Sequence, residues 1–283
     1  MSKPLKELTI PGLIRRTLRE IYFQSRRLNS SSRRLPDFLV IGAQKGGTTS
    51  LYYYLVEHPQ VRPSFREEVH FFDNNYGREI GWYRAHFPTE KKGADFLVGE
   101  ATPYYLFHPH APARVAVTVP DAKLLVLLRN PVDRAYSHYQ HQLRRHREWL
   151  SFEEAIEREP ERLAGETERM LCDESYYSLA YQRHSYLARG RYNEQLQAWF
   201  RLFPRDQFLI RDAETFRTET AKIYSQVLHF LGLPQYRLGA FRKYNSRSYE
   251  KMKPETRERL IEYFREPNEQ LFETLGTRYE WDR

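Results

Sequence analysis

The chain has 283 residues, of which 40% are hydrophobic and 29% charged, enough for a sizeable core and unlike a disordered or membrane-embedded chain. Its longest near-continuous apolar runs, Phe38 to Ala43 and Ala122 to Leu128, fall well short of the roughly 20 residues a spanning helix needs. Residues 1–35 hold nine Lys/Arg against Glu7 and Glu20, so +7 of the net +8 lies in this leader, and the nearly neutral remainder argues against nucleic-acid binding.

In chain order, Met1 to Glu7 lacks the apolar stretch of a secretory signal, which points to a cytoplasmic location. Ile14, Leu18, Ile21 and Leu28 then form one helical stripe among arginines, a pattern that suits a helix lying on an anionic membrane surface or packed on its own domain. Asn29-Ser30-Ser31-Ser32-Arg33-Arg34 reads as a linker, dividing the chain into a basic leader (1–35) and a main domain (36–283). Asp37 to Gly42 predicts a buried parallel strand, and Thr48 to His58 a helix closed by Pro59. Further strands are expected at Phe96–Gly99, Lys123–Leu128 and, more weakly, Phe208–Ile210. Further helices are expected at Pro131 to about Arg147, Tyr192–Phe203, Glu214–Leu231 and Pro254–Leu275. Strands alternating with helices argue for a three-layer α/β/α domain around a parallel sheet. Cys172 is the sole cysteine, which excludes an intrachain disulfide or a Cys-based zinc site and is expected to be a buried apolar thiol.

The strongest chemical signal is Gly42-Ala43-Gln44-Lys45-Gly46-Gly47-Thr48-Thr49-Ser50, between a predicted strand and a predicted helix. Glycines let successive N–H groups point inward, the helix N-terminus adds positive potential, and hydroxyls add donors, which together make a phosphate site. Lys45 sits mid-loop instead of directly before Thr/Ser, so the loop fails the Walker A test and disfavours a nucleoside triphosphatase.

Gln44 to Leu51 resembles the 5′-phosphosulfate loop of sulfotransferases that use 3′-phosphoadenosine 5′-phosphosulfate (PAPS), in particular the heparan sulfate N- and 3-O-sulfotransferases. The resemblance extends to Glu67-Glu68-Val69-His70-Phe71-Phe72-Asp73, Gly81-Trp82-Tyr83, Arg129 to Gln142, and Glu262 to Asn268. It implies a fold related to nucleotide kinases and in-line transfer of a sulfuryl group from PAPS to a hydroxyl or amine, leaving adenosine 3′,5′-bisphosphate, with no metal required. Lys45 is the candidate that stabilises charge on the leaving phosphate, and Gly46, Gly47, Thr48, Thr49 and Ser50 complete the loop. Glu68 maps onto the family's base, with His70 on the same side of an extended chain, orienting Glu68 or contacting the acceptor. Arg129 and Ser137 match the 3′-phosphate ligands, His141 matches a histidine that assists catalysis in the N-sulfotransferase branch, and Arg247 and Tyr249 match a loop that wraps the donor. His138 and His141 have no carboxylate or thiol partner that would complete a metal site.

Two departures bear on the acceptor. Where the family has Glu-Lys-Thr/Ser, this chain reads Glu100-Ala101-Thr102, and the family's disulfide-closed hairpin has no cysteines to form it. A carbohydrate or glycolipid acceptor is expected, with Tyr52, Phe71, Trp82, Tyr104 and Tyr105 as candidate stacking surfaces. The rival readings are a nucleotide-dependent phosphotransferase and a catalytically inactive nucleotide-binding module held at a membrane surface by its leader.

Overall fold

The computed structural model describes residues 12–90, 93, 95–242, 244 and 249–282. Five parallel strands, β1 (Phe38–Gly42), β2 (Val61–Pro63), β3 (Leu97–Ala101), β4 (Lys123–Leu128) and β5 (Phe208–Asp212), form one sheet in the order β2-β3-β1-β4-β5. All five residues of β1 and the last five of β4 are buried, as expected for strands covered on both faces. Alternation along the strands divides the core. Leu39, Ile41, Leu124, Val126 and Leu128 face one hydrophobic cluster, whereas Phe38, Val40, Leu125 and Leu127 face the other.

The helices are α1 (Gly12–Leu28), α2 (Thr48–Val56), α3 (Glu79–Arg84), α4 (Ala111–Thr118) and α5 (Pro131–Arg144), then four short ones, α6 (Phe152–Glu157), α7 (Glu159–Leu163), α8 (Glu166–Cys172) and α9 (Leu179–His184). After these come α10 (Tyr192–Phe200), α11 (Ala213–Thr218), α12 (Thr220–Leu231) and α13 (Pro254–Leu275). Residues from α3, α4, α10 and α13 pack on the first face of the sheet, and residues from α2, α11 and α12 on the second. A third cluster joins Val132, Ala135 and Tyr139 of α5 to Phe152 of α6 and Leu260 and Phe264 of α13. The expected three-layer arrangement is therefore present.

Several local expectations change. The edge strand β2 is three residues long and includes Pro63, too short and too polar to announce itself by periodicity. The single helix expected over Glu214–Leu231 is two, with Glu219 between them at φ −118°, ψ 43°. The expected linker is tied down: Ser30–Ser32 is a 3-10 turn, and Arg33 donates from Nη1 to the Phe87 carbonyl (2.8 Å) and from Nε to the Arg26 carbonyl (3.0 Å). Cys172 is exposed, because it ends α8, whose buried residue is Met170.

Candidate active site

A cleft of ≈ 800 Å³ opens where the carboxyl ends of the strands meet. It is lined by Gln44 to Ser50 after β1, Pro103 and Tyr104 after β3, Arg129 after β4, and Ala213, Glu214, Phe216 and Arg217 after β5. Parallel α/β sheets place ligands at such strand ends. Glu67, Glu68 and His70 line the same cleft, together with Ser137, Gln140, His141, Arg144, Arg145 and Arg147, and with Arg183 and Arg189.

The loop after β1 is shaped for close approach. A β-carbon on Gly46 would lie 2.3 Å from the Leu127 carbonyl oxygen, so only glycine lets the loop lie on β4. Gly47 takes φ 99° as the N-cap of α2 and brings no side chain of its own between the helix N-terminus and a ligand. Lys45 holds φ 71°, a left-handed conformation that costs a non-glycine residue roughly 1–2 kcal/mol. Two arginines brace the loop: Arg129 donates to the Lys45 carbonyl (3.3 Å), and the buried Arg189 donates to Gln44 Oε1 (2.9 Å). Burial, with Arg144, Arg129 and Arg134 nearby, pushes the Lys45 ammonium down to about 8. The site is thus charged in advance for a polyanion.

Across the cleft, His70 bridges two carboxylates. Its Nδ1 lies 2.6 Å from Asp73 Oδ2 and its Nε2 lies 3.0 Å from Glu68 Oε2. Burial opposes the imidazolium, but Asp73 and Glu68 outweigh it and raise His70 to about 10. With both ring nitrogens protonated, His70 donates to both acids, and Glu68, at 44% side-chain exposure, lines the cleft. The segment is pinned from behind. Glu100 accepts from the Val69 N–H (3.3 Å), Thr102 Oγ1 from the His70 N–H (3.3 Å), and Tyr105 Oη from the Phe71 N–H (2.8 Å). Glu100 also accepts from Tyr83 (2.7 Å) and Tyr105 (3.0 Å), and burial raises it to about 7 despite these bonds.

On α5, Asn130 caps the helix by accepting from the Val132 N–H (2.9 Å), which fixes the turn between Arg129 and Ser137. Ser137 and His141 both line the cleft one turn apart. Burial, followed by Lys45, Arg145 and Arg144, lowers His141 to about 4, so at neutral pH it is an uncharged imidazole. Arg144 Nη2 lies 3.2 Å from its Nδ1, and with Arg144 as donor the ring proton sits on Nε2. His138 faces inward, fully buried, with Nε2 3.0 Å from the Gln142 amide. Among the described residues no His/Cys/Asp/Glu group is arranged to hold a metal.

The structure gathers Lys45, Gly46, Gly47, Thr48, Thr49, Ser50, Glu68, His70, Arg129, Ser137, His141 and Tyr249 around one cleft. Arg247, with Asn245, Ser246 and Ser248, lies outside the described residues. Of the expected stacking aromatics, Tyr52, Phe71, Trp82 and Tyr105 are buried (0–6% exposed) and serve the core; Tyr104 alone reaches the cleft, and it too is 4% exposed. The sequence reading assigned no role to Asp73, to Arg189 or to the arginines at 144, 145, 147 and 183. Asp73 had a signal, since it stands three residues beyond His70, and Arg144, Arg145 and Arg147 form one contiguous basic run; Arg183 and Arg189 come from other segments and had none.

A family model described as a sulfotransferase domain matches residues 35–273, most of the chain. The chain belongs to the sulfotransferase family. Its fold is matched by a crystal structure of a sulfotransferase from Alicyclobacillus acidocaldarius, with a TM-score of 0.71, 31% identity, and coverage of 88% of this chain and 100% of that one. The membrane-associated sulfotransferase kil1 of Dictyostelium discoideum is 27% identical over 87% of this chain and 66% of its own length. The human bifunctional heparan sulfate N-deacetylase/N-sulfotransferase 3 is 34% identical over 86% of this chain, and the mouse heparan sulfate glucosamine 3-O-sulfotransferase 3B1 is 36% identical over 72%. The chain spans 30% of the human protein and 48% of the mouse one. By family and fold the chain is therefore a sulfotransferase domain, similar to proteins named as heparan sulfate N- and 3-O-sulfotransferases.

PAPS, the donor that this family uses, fits the residues present. The Arg129 Nε is buried with no hydrogen-bond partner in the structure, at the strand end where a 3′-phosphate ligand was expected. The N-terminus of α2, opened by a glycine with no side chain, and the hydroxyls of Thr48, Thr49 and Ser50 along the cleft suit the opposite, 5′ end of such a nucleotide.

Proposed function

We propose that this sulfotransferase moves a sulfuryl group from PAPS to a hydroxyl or amine of a carbohydrate or glycolipid acceptor. The observation that carries the reading is the convergence of Lys45, Glu68 and His70 on one cationic cleft, with Asp73 behind His70. PAPS, when bound, supplies the activated sulfuryl group and an adenosine bisphosphate leaving group. Lys45 neutralises charge growing on the bridging oxygen, a task that needs a cation held in place and no metal. Gly46, Gly47, Thr48, Thr49 and Ser50 hold the 5′ end, while Arg129, Ser137, Arg247 and Tyr249 hold the 3′-phosphate side.

Glu68 takes the acceptor proton as the acceptor attacks. Asp73 fixes the ring of His70, and His70 fixes Glu68, so that one carboxylate oxygen is occupied and the other is presented to the acceptor. His141, neutral at pH 7, offers Nε2–H to an oxygen in the cleft. Ala101, buried in β3, brings no cation where the heparan sulfate enzymes carry lysine, and Arg144, Arg145, Arg147, Arg183 and Arg217 are positive charges of the cleft available to meet the acceptor instead. The reading extends to a cytoplasmic protein at the surface of a membrane, supported by the basic leader and by the likeness to a relative named as membrane-associated.

Calorimetric titration with adenosine 3′,5′-bisphosphate, with and without Mg²⁺ and against ATP, tests the donor. Tight binding of the bisphosphate without metal is expected. A preference for Mg-ATP would replace this reading with a phosphotransferase, and binding of neither would leave an inactive module.

A further inference from the structure

Helix α1 has two faces that do different work. Phe23, 1% exposed, packs against His86 (4.6 Å between ring centroids), Phe65 (5.3 Å) and Trp82 (6.0 Å). On the same side, Arg19 donates to the Phe65 carbonyl (2.7 Å), and Arg26 donates to the carbonyls of Ala85 (2.6 Å) and Phe87 (2.7 Å). Positions 19, 23 and 26 recur at helical spacing and clamp α1 to the domain.

The apolar stripe lies on the other side. Ile14, Leu18, Ile21 and Leu28 are 50%, 53%, 61% and 91% exposed, and Tyr22 beside them is 56% exposed. At 100° per residue these positions centre opposite Phe23. An amphipathic helix that only braces its own domain turns its stripe inward. Here the arrangement is reversed: arginine-to-carbonyl bonds and one phenylalanine hold the inner face, and the larger apolar surface faces out.

The charge on this helix selects what covers that surface. Residues 12–28 carry five arginines against Glu20 alone, while the chain beyond residue 35 is nearly neutral. Arg16 and Arg27 are exposed. Pairing the stripe with a second copy would bring two such helices together, setting like charge against like. An anionic bilayer offers both complements, phosphate for the arginines and acyl chains for the stripe, and a basic helix of low net hydrophobicity with a strong apolar face is the kind that lies in the headgroup plane.

We propose that α1 is a membrane-docking helix that seats Ile14, Leu18, Ile21 and Leu28 in the interface of an anionic bilayer while Phe23, Arg19 and Arg26 hold the catalytic domain against its opposite side. The surface it grips leads to the cleft: Arg19 and Phe23 contact Phe65, Arg66 lies 3.5 Å from Glu20, and Glu68 follows three residues after Phe65, a span of about 10 Å at most. Docking therefore holds the wall that carries Glu68 close to the membrane, where a lipid-borne acceptor is presented. The docking itself stands apart from the donor reading.

The test uses the full chain with vesicles of phosphatidylcholine alone or mixed with phosphatidylglycerol, read by flotation, with adenosine 3′,5′-bisphosphate titrated into each variant as an independent check of folding. Wild type is expected to bind the mixed vesicles at least about tenfold more tightly than the neutral ones, and less tightly as salt rises. The triple variant I14E/L18E/I21E is expected to lose at least about tenfold of that binding, and R16Q/R27Q a smaller part, each with nucleotide binding unchanged. Equal binding to both vesicle types, wild-type binding by the triple variant, or a lipid-free dimer that the triple variant dissolves would each overturn the proposal, the last in favour of a second copy. Vesicle binding without bisphosphate binding would sink the donor reading and leave the docking helix standing.

Discussion

On one side of the cleft, Gly46, Gly47 and the first turn of α2 meet a ligand with backbone N–H groups, within ten residues of continuous chain. On the other, Glu68 depends on the side chains of His70 and Asp73 and on backing from Glu100, Thr102 and Tyr105, in a cleft whose arginines come from several segments. A backbone site survives most side-chain changes, because its donors belong to the fold. A relay of side chains fails wherever one link is cut. The two sides should therefore respond differently to single substitutions, in size and in which kinetic constant moves.

Lys45 is the exception on the backbone side, the one loop side chain asked to act on charge that grows during reaction. Lys45→Ala should lower kcat about 10²–10³-fold, the largest loss expected. Because burial and its arginine neighbours hold Lys45 near 8, kcat/KM for the donor should fall above about pH 8 in wild type as the ammonium is lost. Steady-state kinetics between pH 6 and 10 check both points, and a variant retaining more than a third of wild-type kcat would show that the loop works by backbone alone. Glu68→Gln comes next, with kcat down by about 10²-fold or more and affinity for adenosine 3′,5′-bisphosphate unchanged by calorimetry. A loss of nucleotide affinity would instead place Glu68 on the donor side.

Asp73 separates a link from an end. Asp73→Asn keeps the shape but removes the charge that holds the His70 proton, so Glu68 loses its fixed partner and kcat falls by about tenfold to a hundredfold. The same change shows in stability. His70 is raised from 6.5 to about 10, so its contribution is complete below about pH 6.5 and is lost as pH rises toward 10. Melting temperatures of wild type should decline across that window, and those of Asp73→Asn should decline less. Parallel curves would mean that Asp73 does not hold the proton.

The same contrast explains what the sequence disclosed. β1, β4 and α13 were legible nearly residue for residue, because apolar runs and helical spacing are local properties. The phosphate loop was legible for the same reason, and Glu68 and His70 through a contiguous motif. Asp73 was overlooked although it stands in that motif, since its partnership depends on His70 turning to φ 56°. The arginine wall was only partly legible, since Arg144, Arg145 and Arg147 are a contiguous basic run whereas Arg183 and Arg189 reach the cleft from distant segments. Cys172 and the stacking aromatics misled in opposite directions: residue type implied a buried thiol and exposed rings, whereas position at the end of α8 exposes the first and core packing hides the second.

Those rings and arginines give the smallest effects on turnover and the sharpest division of labour. Phe71 stacks on Tyr83 at 4.3 Å in the core, so Phe71→Ala should destabilise the fold by about 3–5 kcal/mol, read as a lower melting temperature, with acceptor KM changed only as far as folding is lost. Arg147 lines the cleft, its charge acts on His141, and it does not belong to the core. Arg147→Ala should leave melting temperature and donor KM unchanged and raise the KM of an anionic acceptor about tenfold, an effect that shrinks as salt screens the wild-type attraction. An unchanged acceptor KM with a raised donor KM would move Arg147 across the cleft, and the acceptor would then be recognised by shape and hydrogen bonds, with no need for negative charge.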